Sequence, residues 1–265
     1  MSLLTDYHTH NALCHHASGH PADYARHAES IGLAEFGASD HNPSPTLNDD
    51  WRMSVNMLDV YLDQVTEARE AVQIPVRLGM ECDYLNGEEA SLDWLEAYAD
   101  WDYLIGSVHY LDRQWAVDDP RLAEKISLNG VTETWDQYWA CYIAMIESKR
   151  FDFVAHPDLV KKFGHVPDGN LDRYFEPVIN ALVAADGCFE INTAGWNKDC
   201  AEQYPHLRFL ELAGQAGLPI VISSDAHAAS EVGRDFERAL NLAKEAGIKH
   251  LARFEKRQRR LVKIE

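Results

Sequence analysis

The sequence predicts an α/β fold in which parallel strands, wrapped by helices, close or nearly close into a barrel. Three observations carry this expectation. Short β-type runs alternate with amphipathic helical stretches from end to end. No internal repeat, low-complexity tract or Pro-, Gly- or Ser-rich linker divides the 265 residues, so a single domain spanning 1–265 is expected. Six of the seven expected strands end in a histidine, aspartate or glutamate, at the end where such barrels gather their active sites.

The strand candidates are 3–8, 33–39, 76–80, 103–107, 153–155, 188–192 and 219–223. The helix candidates are 21–31, 57–72, 92–99, 132–148, 171–185, 205–216 and 229–246. Pro21 follows His20 at a first-turn position, and Gly32, Gly187, Gly217 and Gly247 sit just past helix ends. Seven strand–helix units at this length favour closure over an open sheet.

Hydrophobic residues make up 46%, enough for a substantial core. No apolar run reaches the ~18 residues of a membrane span, and residues 1–5 lack the basic and apolar regions of a secretion signal. Five cysteines (Cys14, Cys82, Cys141, Cys188 and Cys200) are scattered without a Cys-x-x-Cys pair, which argues against a disulfide framework and a thiolate zinc site. A cytoplasmic location is therefore expected. The net charge of −19 repels a phosphate backbone, so neither nucleic acid nor membrane is an expected partner. An anionic small molecule would need local positive charge, which bound cations supply. The locally basic stretch 254–260 reads as a solvated strand or tail.

The 13 histidines are about twice what this length calls for, and their placement gives the reason. Strand one runs Asp6-Tyr7-His8-Thr9-His10, with Cys14-His15-His16 close behind. Strand two ends Ser39-Asp40-His41, and strand three runs into Gly79-Met80-Glu81-Cys82-Asp83. Strands four and five end Gly106-Ser107-Val108-His109 and Ala155-His156-Pro157-Asp158. Strand seven ends Ser223-Ser224-Asp225-Ala226-His227; strand six, ending Glu190-Ile191-Asn192, lacks a histidine. Residues two apart on a strand project to the same side, so His8 and His10 can hold one ion, and Asp225 with His227 repeats the spacing. Closure sets strands one and seven side by side. Imidazoles and carboxylates without thiolate suit zinc, iron or manganese in an open catalytic site. Polar strand ends that merely meet water do not explain the recurrence of ligand types strand after strand. Of the other histidines, His20 is placed at the mouth of the site, His27 and His250 read as structural, and His165 and His206 as surface groups.

In order, and over nearly the whole chain, these motifs resemble the polymerase-and-histidinol-phosphatase (PHP) family. The residues that carry the likeness are His8-Thr9-His10, the Ser-Asp-His at His41, Glu81, the Gly-Ser-Val-His at His109, His156 and the Ser-Asp-Ala-His at His227. Lys161-Lys162-Phe163-Gly164-His165 and Glu190-Ile191-Asn192-Thr193-Ala194-Gly195 are similar to its histidinol-phosphatase branch. The resemblance implies a distorted (β/α)7 TIM-like barrel with three divalent ions, zinc, iron or manganese. It implies the ligands His8, His10, His16, His41, Glu81, His109, His156, Asp225 and His227, with Glu81 bridging two ions and Asp40 orienting a neighbouring imidazole. Asp225, Glu81 and His227 are the residues it assigns to catalysis.

The implied activity is hydrolysis of L-histidinol phosphate to L-histidinol and phosphate, a step of histidine biosynthesis, with attack by a hydroxide bridging two metals. A small phosphorylated metabolite is the expected partner. The alternatives are another small phosphate ester or a nucleotide, or an amidohydrolase reaction, whose bridging lysine on strand four has no counterpart here. Lys161, Lys198 and Arg113 are the candidate substrate anchors, with Arg234 a further possibility. Asn197 departs from the family, whose members commonly carry arginine there; an amide cannot give the bidentate, charged grip of arginine on phosphate. Trp115, Trp196 and Tyr110 are candidates for packing on an imidazole ring.

Overall fold

The alternating runs resolve into parallel strands backed by helices. The structure, a computed structural model, describes residues 3–47 and 49–264. Met1 and Ser2, at the head of the stretch tested above for a secretion signal, lie outside the described residues. The strands are β1 (Thr5–Asp6), β2 (Glu35–Ala38), β3 (Val76–Leu78), β4 (Glu81–Asp83), β5 (Ile105–Ser107), β6 (Tyr110–Asp112), β7 (Trp115–Ala116), β8 (Phe153–Val154), β9 (Phe189–Asn192), β10 (Ile220–Ser223), β11 (His250–Glu255) and β12 (Gln258–Lys263). The α-helices are α1 (Pro21–Ser30), α2 (Leu58–Ala71), α3 (Glu89–Tyr98), α4 (Glu124–Asn129), α5 (Val131–Glu147), α6 (Asp172–Ala184), α7 (Leu207–Ala216) and α8 (Phe236–Glu245).

Strands β1, β2 and β3 pair in parallel, as do β4, β5, β8, β9 and β10 in that order. β3 and β4 are two halves of one strand, broken at Gly79 and Met80, so the third strand serves both sheets. The sheets join where His41 bridges Glu81 and where Thr9 bridges Ala226, the latter with His10 N donating to Ala226 O at 2.8 Å. Backbone hydrogen bonds therefore link seven strands in a ring at the C-terminal ends. At the opposite end β11 adds in parallel to β10 (Ile220 opposite Leu251), and Arg253 donates to Leu3 O at 3.0 Å. The broken third strand and this inserted β11 are what distort the barrel.

Its interior holds Tyr7, Tyr103, Ile105, Phe153 and Val221 together with Ala252 and Phe254 from β11. Phe254 is fully enclosed and stacks on Phe153 with 5.6 Å between ring centres. Of the two expected readings for the stretch 254–260, solvated strand or tail, the strand holds, except at its first residue. It begins as core, and Lys256 and Arg257, at φ 51° and 62°, form the tight turn from which β12 returns antiparallel. Tyr103 crosses the interior to donate to Tyr7 O at 2.6 Å, and a Cβ at Gly37 or Gly79 would overlap its ring.

A second core lies between strands and helices. α5 buries Trp135, Tyr138, Trp139, Tyr142, Met145 and Ile146, the i, i+3, i+4, i+7 stripe that its sequence encodes. Each such side chain contributes roughly 1.5–3 kcal/mol on burial. The expected helix 229–246 is split: a 3-10 turn, Ala229–Glu231, precedes α8, because Gly233 (φ 73°) and Asp235 (φ 61°) turn the chain. The ribbon of β6 and β7, and α4, were not among the expected elements. Among the described residues no helix is long and apolar enough to cross a membrane.

Candidate metal centre

The pleat of each strand decides which side chains reach the C-terminal mouth of the barrel. Glu81, at the start of β4, lies at its centre and is buried. Its Oε2 faces His41 Nδ1 at 3.0 Å, His8 Nε2 at 3.2 Å and His10 Nε2 at 3.4 Å. Its Oε1 faces His156 Nε2 at 3.0 Å and His109 Nε2 at 3.6 Å, and accepts from Ser107 Oγ at 2.6 Å. One carboxylate thus addresses two groups of imidazoles, as the bridging role requires. Asp225 Oδ1 lies 3.0 Å from His10 Nε2 and 3.7 Å from His8 Nε2. Its φ of 52° is a left-handed conformation that aspartate tolerates better than most residues. His227 Nε2 meets His16 Nε2 at 2.9 Å, and the His227 ring stacks 4.4 Å from that of His10.

All nine expected ligands therefore converge. Their spacing is that of atoms sharing an ion: donors ~2.1 Å from one cation stand ~3.0–3.4 Å from each other. His8 Nε2, His10 Nε2 and Glu81 Oε2 are buried without a hydrogen bond, a cost of ~1–3 kcal/mol each if nothing else satisfied them. Several overlapping triads form, among them His8–Glu81–His156, His8–His10–Asp225, His41–Glu81–His109 and His10–His41–His227. This donor set fits more than one divalent ion.

Behind the ligands stands a layer of carboxylates that sequence reasoning recovered only in part. Asp40, expected to orient an imidazole, has Oδ1 3.4 Å from His10 Nδ1 and accepts from His41 N at 2.8 Å. Glu190 on β9 holds His8 Nδ1 at 3.1 Å, and Asp83 on β4 holds His109 Nδ1 at 2.7 Å; neither was anticipated. Their signal was present, since a carboxylate on an otherwise apolar strand must face a partner. Asp83 is itself anchored by Arg52 Nη2 at 2.7 Å. Asp6 accepts from Ser224 N, Ser224 Oγ and Gly233 N, tying β1 to the loop that carries Asp225 and His227. A carboxylate behind a metal-bound imidazole fixes its tautomer and orientation, and its loss lowers metal affinity ~10–100-fold. Glu190→Gln should show that loss in a metal titration, with turnover restored by excess metal.

The electrostatics agree. Burial opposes charge on His8, yet Glu81, Glu190 and Asp225 raise its pKa well above the ordinary value. Burial disfavours a charged Glu81, but His8, His41 and His109 hold its carboxyl well below the usual range. Buried carboxylates in this cluster demand positive charge at the positions that cations would fill.

The mouth opens into a cavity of about 670 Å³ lined by His16, His41, His109, His156, Asp225 and His227, among others. Of the expected anchors, Lys198 and Arg234 line it. Lys161 does not. It is buried, with Nζ 2.9 Å from Asp158 Oδ2, 2.6 Å from Glu202 Oε2 and 2.8 Å from Gln203 O, so it clamps the loop after β9 to the end of β8. Lys162 takes the cavity position instead. Arg113 also lies outside, exposed and paired with Glu88. Lys161→Ala should therefore cost ~3–5 kcal/mol of stability by stranding buried Asp158, read as a fall in Tm. Arg113→Ala should leave KM within about twofold, since rim charges contribute little.

The expected aromatic contacts are also displaced. Trp115 lies under Lys125, Trp196 under Arg238, and Tyr110 stacks on Trp51, which itself lines the cavity. His20 caps α1 and faces Glu67, away from the cavity lining.

The PHP domain family's model matches residues 6–194. A protein of Deinococcus radiodurans named probable histidinol-phosphatase is 36% identical over 251 residues, covering 93% of this chain and 95% of its own. The histidinol-phosphatase of Bacillus subtilis is 28% identical, covering 89% and 97%. A crystal structure of histidinol phosphate phosphatase from Lactococcus lactis, complexed with zinc, L-histidinol and phosphate, superposes with a TM-score of 0.81 at 20% identity, covering 97% and 98%. A Listeria monocytogenes structure named putative histidinol phosphatase gives 0.76 at 22%, covering 88% and 99%. The fold, the ordered strand-end motifs and these matches together place the chain in the PHP domain family.

Proposed function

We propose that this chain is a metal-dependent phosphomonoesterase that hydrolyses L-histidinol phosphate to L-histidinol and phosphate. The observation that carries the reading is the convergence of nine imidazole and carboxylate side chains on one open cavity, in a chain 36% identical to a probable histidinol-phosphatase. Three ions of zinc, iron or manganese suit the donor set. When bound, they lower the pKa of an attacking water and offset charge on the phosphoryl group.

The chain's own residues do the rest. Glu81, with Oε2 toward His8, His10 and His41 and Oε1 toward His109 and His156, would hold ions on both sides. His8 and His10 meet Asp225 on one side, His109 and His156 stand on the other, and His16, His41 and His227 border the cavity. Asn192 Nδ2 donates to Asp225 Oδ2 at 3.2 Å and steadies this carboxylate at the cavity face. Lys162 and Lys198 supply positive charge along the wall, and Trp51 offers a ring for the substrate imidazole to pack on. The unit is taken as the whole of 1–265, since β10, beyond the matched segment, completes the strand ring. Five free cysteines support a reducing, cytoplasmic setting.

The test is phosphate release from a panel of monoesters by protein reconstituted with manganese. Histidinol phosphate should exceed other esters in kcat/KM by ~10²-fold or more, a margin of ~2.7 kcal/mol. Equal rates across the panel, or turnover of amides or lactones in its place, would overturn the substrate assignment.

A further inference from the structure

Four Lys or Arg side chains line the cavity: Arg121, Lys162, Lys198 and Arg234. Their partners set them apart. Arg121 is bound on both edges, with Nη1 and Nη2 each 3.0 Å from an oxygen of Asp50 and Nε 3.0 Å from both oxygens of Asp119. Lys162 Nζ donates to Asp118 O at 2.8 Å and Oδ2 at 3.1 Å. Lys198 is exposed and unfixed, its side chain having no hydrogen bond among the described residues.

Arg234 is different. Its side chain is only 29% exposed, and its one side-chain hydrogen bond among the described residues runs from Nη1 to Glu231 Oε1 at 3.0 Å. Its Nε is buried with no acceptor. The other oxygen of Glu231 accepts from His227 N at 2.9 Å, so one carboxylate fixes this guanidinium beside a metal-ligand histidine. The backbone is held too, since Thr193 Oγ1 donates to Arg234 O at 2.8 Å. A half-buried, oriented guanidinium with donors to spare is built to take a tetrahedral oxyanion, because its planar fork matches phosphate oxygens and stays charged.

We infer that Arg234, oriented by Glu231, binds the phosphoryl oxygens of the substrate. This rests on the phosphomonoesterase reading above and names the side chain that confers the preference for a phosphate group. Lys162 and Lys198 then add charge without a fixed geometry.

Calorimetry of inorganic phosphate binding to the manganese-loaded, full-length protein tests it without requiring turnover. Arg234→Ala should weaken phosphate binding by ~10-fold or more at unchanged metal content, and Arg234→Lys by at least ~3-fold, since a point charge lacks the fork. Glu231→Gln should fall between wild type and Arg234→Ala. In kinetics, KM for histidinol phosphate should rise more than kcat falls. Phosphate affinity in Arg234→Ala within twofold of wild type would overturn the inference. Should that variant lose metal or fail to fold, wild-type affinity in Arg234→Lys would overturn it equally. A wild-type protein that binds phosphate through Arg234 but ignores histidinol phosphate would sink the substrate assignment and leave this inference standing.

Discussion

Replacing Glu81 with glutamine is expected to lower kcat/KM for phosphate monoesters by on the order of 10³-fold or more, ~4 kcal/mol of transition-state stabilisation. The size follows from geometry. Oε2 faces three imidazoles and Oε1 two, so this one carboxylate belongs to both halves of the centre. An amide of the same shape offers an oxygen to one half only and removes the negative charge that both use. Elemental analysis should show loss of at least one ion per chain, while circular dichroism keeps its native form. The barrel survives because its core of Tyr7, Tyr103, Phe153 and Phe254 lies on the other side of this layer. A variant with native metal content and native turnover would deny Glu81 its role.

The second large effect is a gap in stability between metal-loaded and metal-free protein that widens with pH. Burial opposes charge on His10, but Asp225 and Asp40 push its pKa up to about 9. Burial opposes charge on His109 as well, and Asp83 and Glu81 push it up to about 10. Both start from an ordinary value of 6.5. Without metal, the native state therefore holds protons that the unfolded chain has released. Their contribution is full below pH 6.5 and is lost as pH climbs through 9 and 10. His41 and His227 run the other way. Burial and the charge on His10 bring them down to about 3, so their contribution is lost as pH falls from 6.5 towards 3. Asp225 and Glu81, held well below the usual carboxylate range, also lose their contribution in acid.

Metal-free protein should thus be most stable near pH 6.5 and lose Tm as pH climbs through about 9 and 10. Cations replace the protons and remove the alkaline loss. At a free metal concentration of ~1,000 Kd the gain is ~4 kcal/mol, or on the order of 10 °C in Tm. A gap independent of pH would show that protons and metal do not compete for these imidazoles.

The ligands were legible in the sequence because short strand-end motifs settle their own direction. His8 and His10 share a side by the period of a strand, and Asp225 with His227 follows the same rule. Closure then needed only the order of the strands. What pairs at long range was not legible. Glu190 reaches His8 from 182 positions away, and nothing near either residue announces the contact. Lys161 shows the reverse failure. A cation five residues past His156 reads as an anchor whether it faces the cavity or a carboxylate behind it. Glu202 and Gln203, brought back by the loop after β9, decide the matter. Phe254 was hidden by the basic residues around it, which occupy the turn and β12. The break between β3 and β4 depends on Gly79 passing beneath the Tyr103 ring, a packing event rather than a local preference.

The most direct test of the account is the location and number of bound ions, read from anomalous scattering on crystals grown with manganese or zinc and from elemental analysis of the same protein. The expected result is two or three ions per chain. Both oxygens of Glu81 should be engaged, and nitrogens of His8, His10, His109 and His156 should lie ~2.0–2.2 Å from a cation. A chain that binds no divalent ion, or holds its ions away from Glu81 and these histidines, would contradict it.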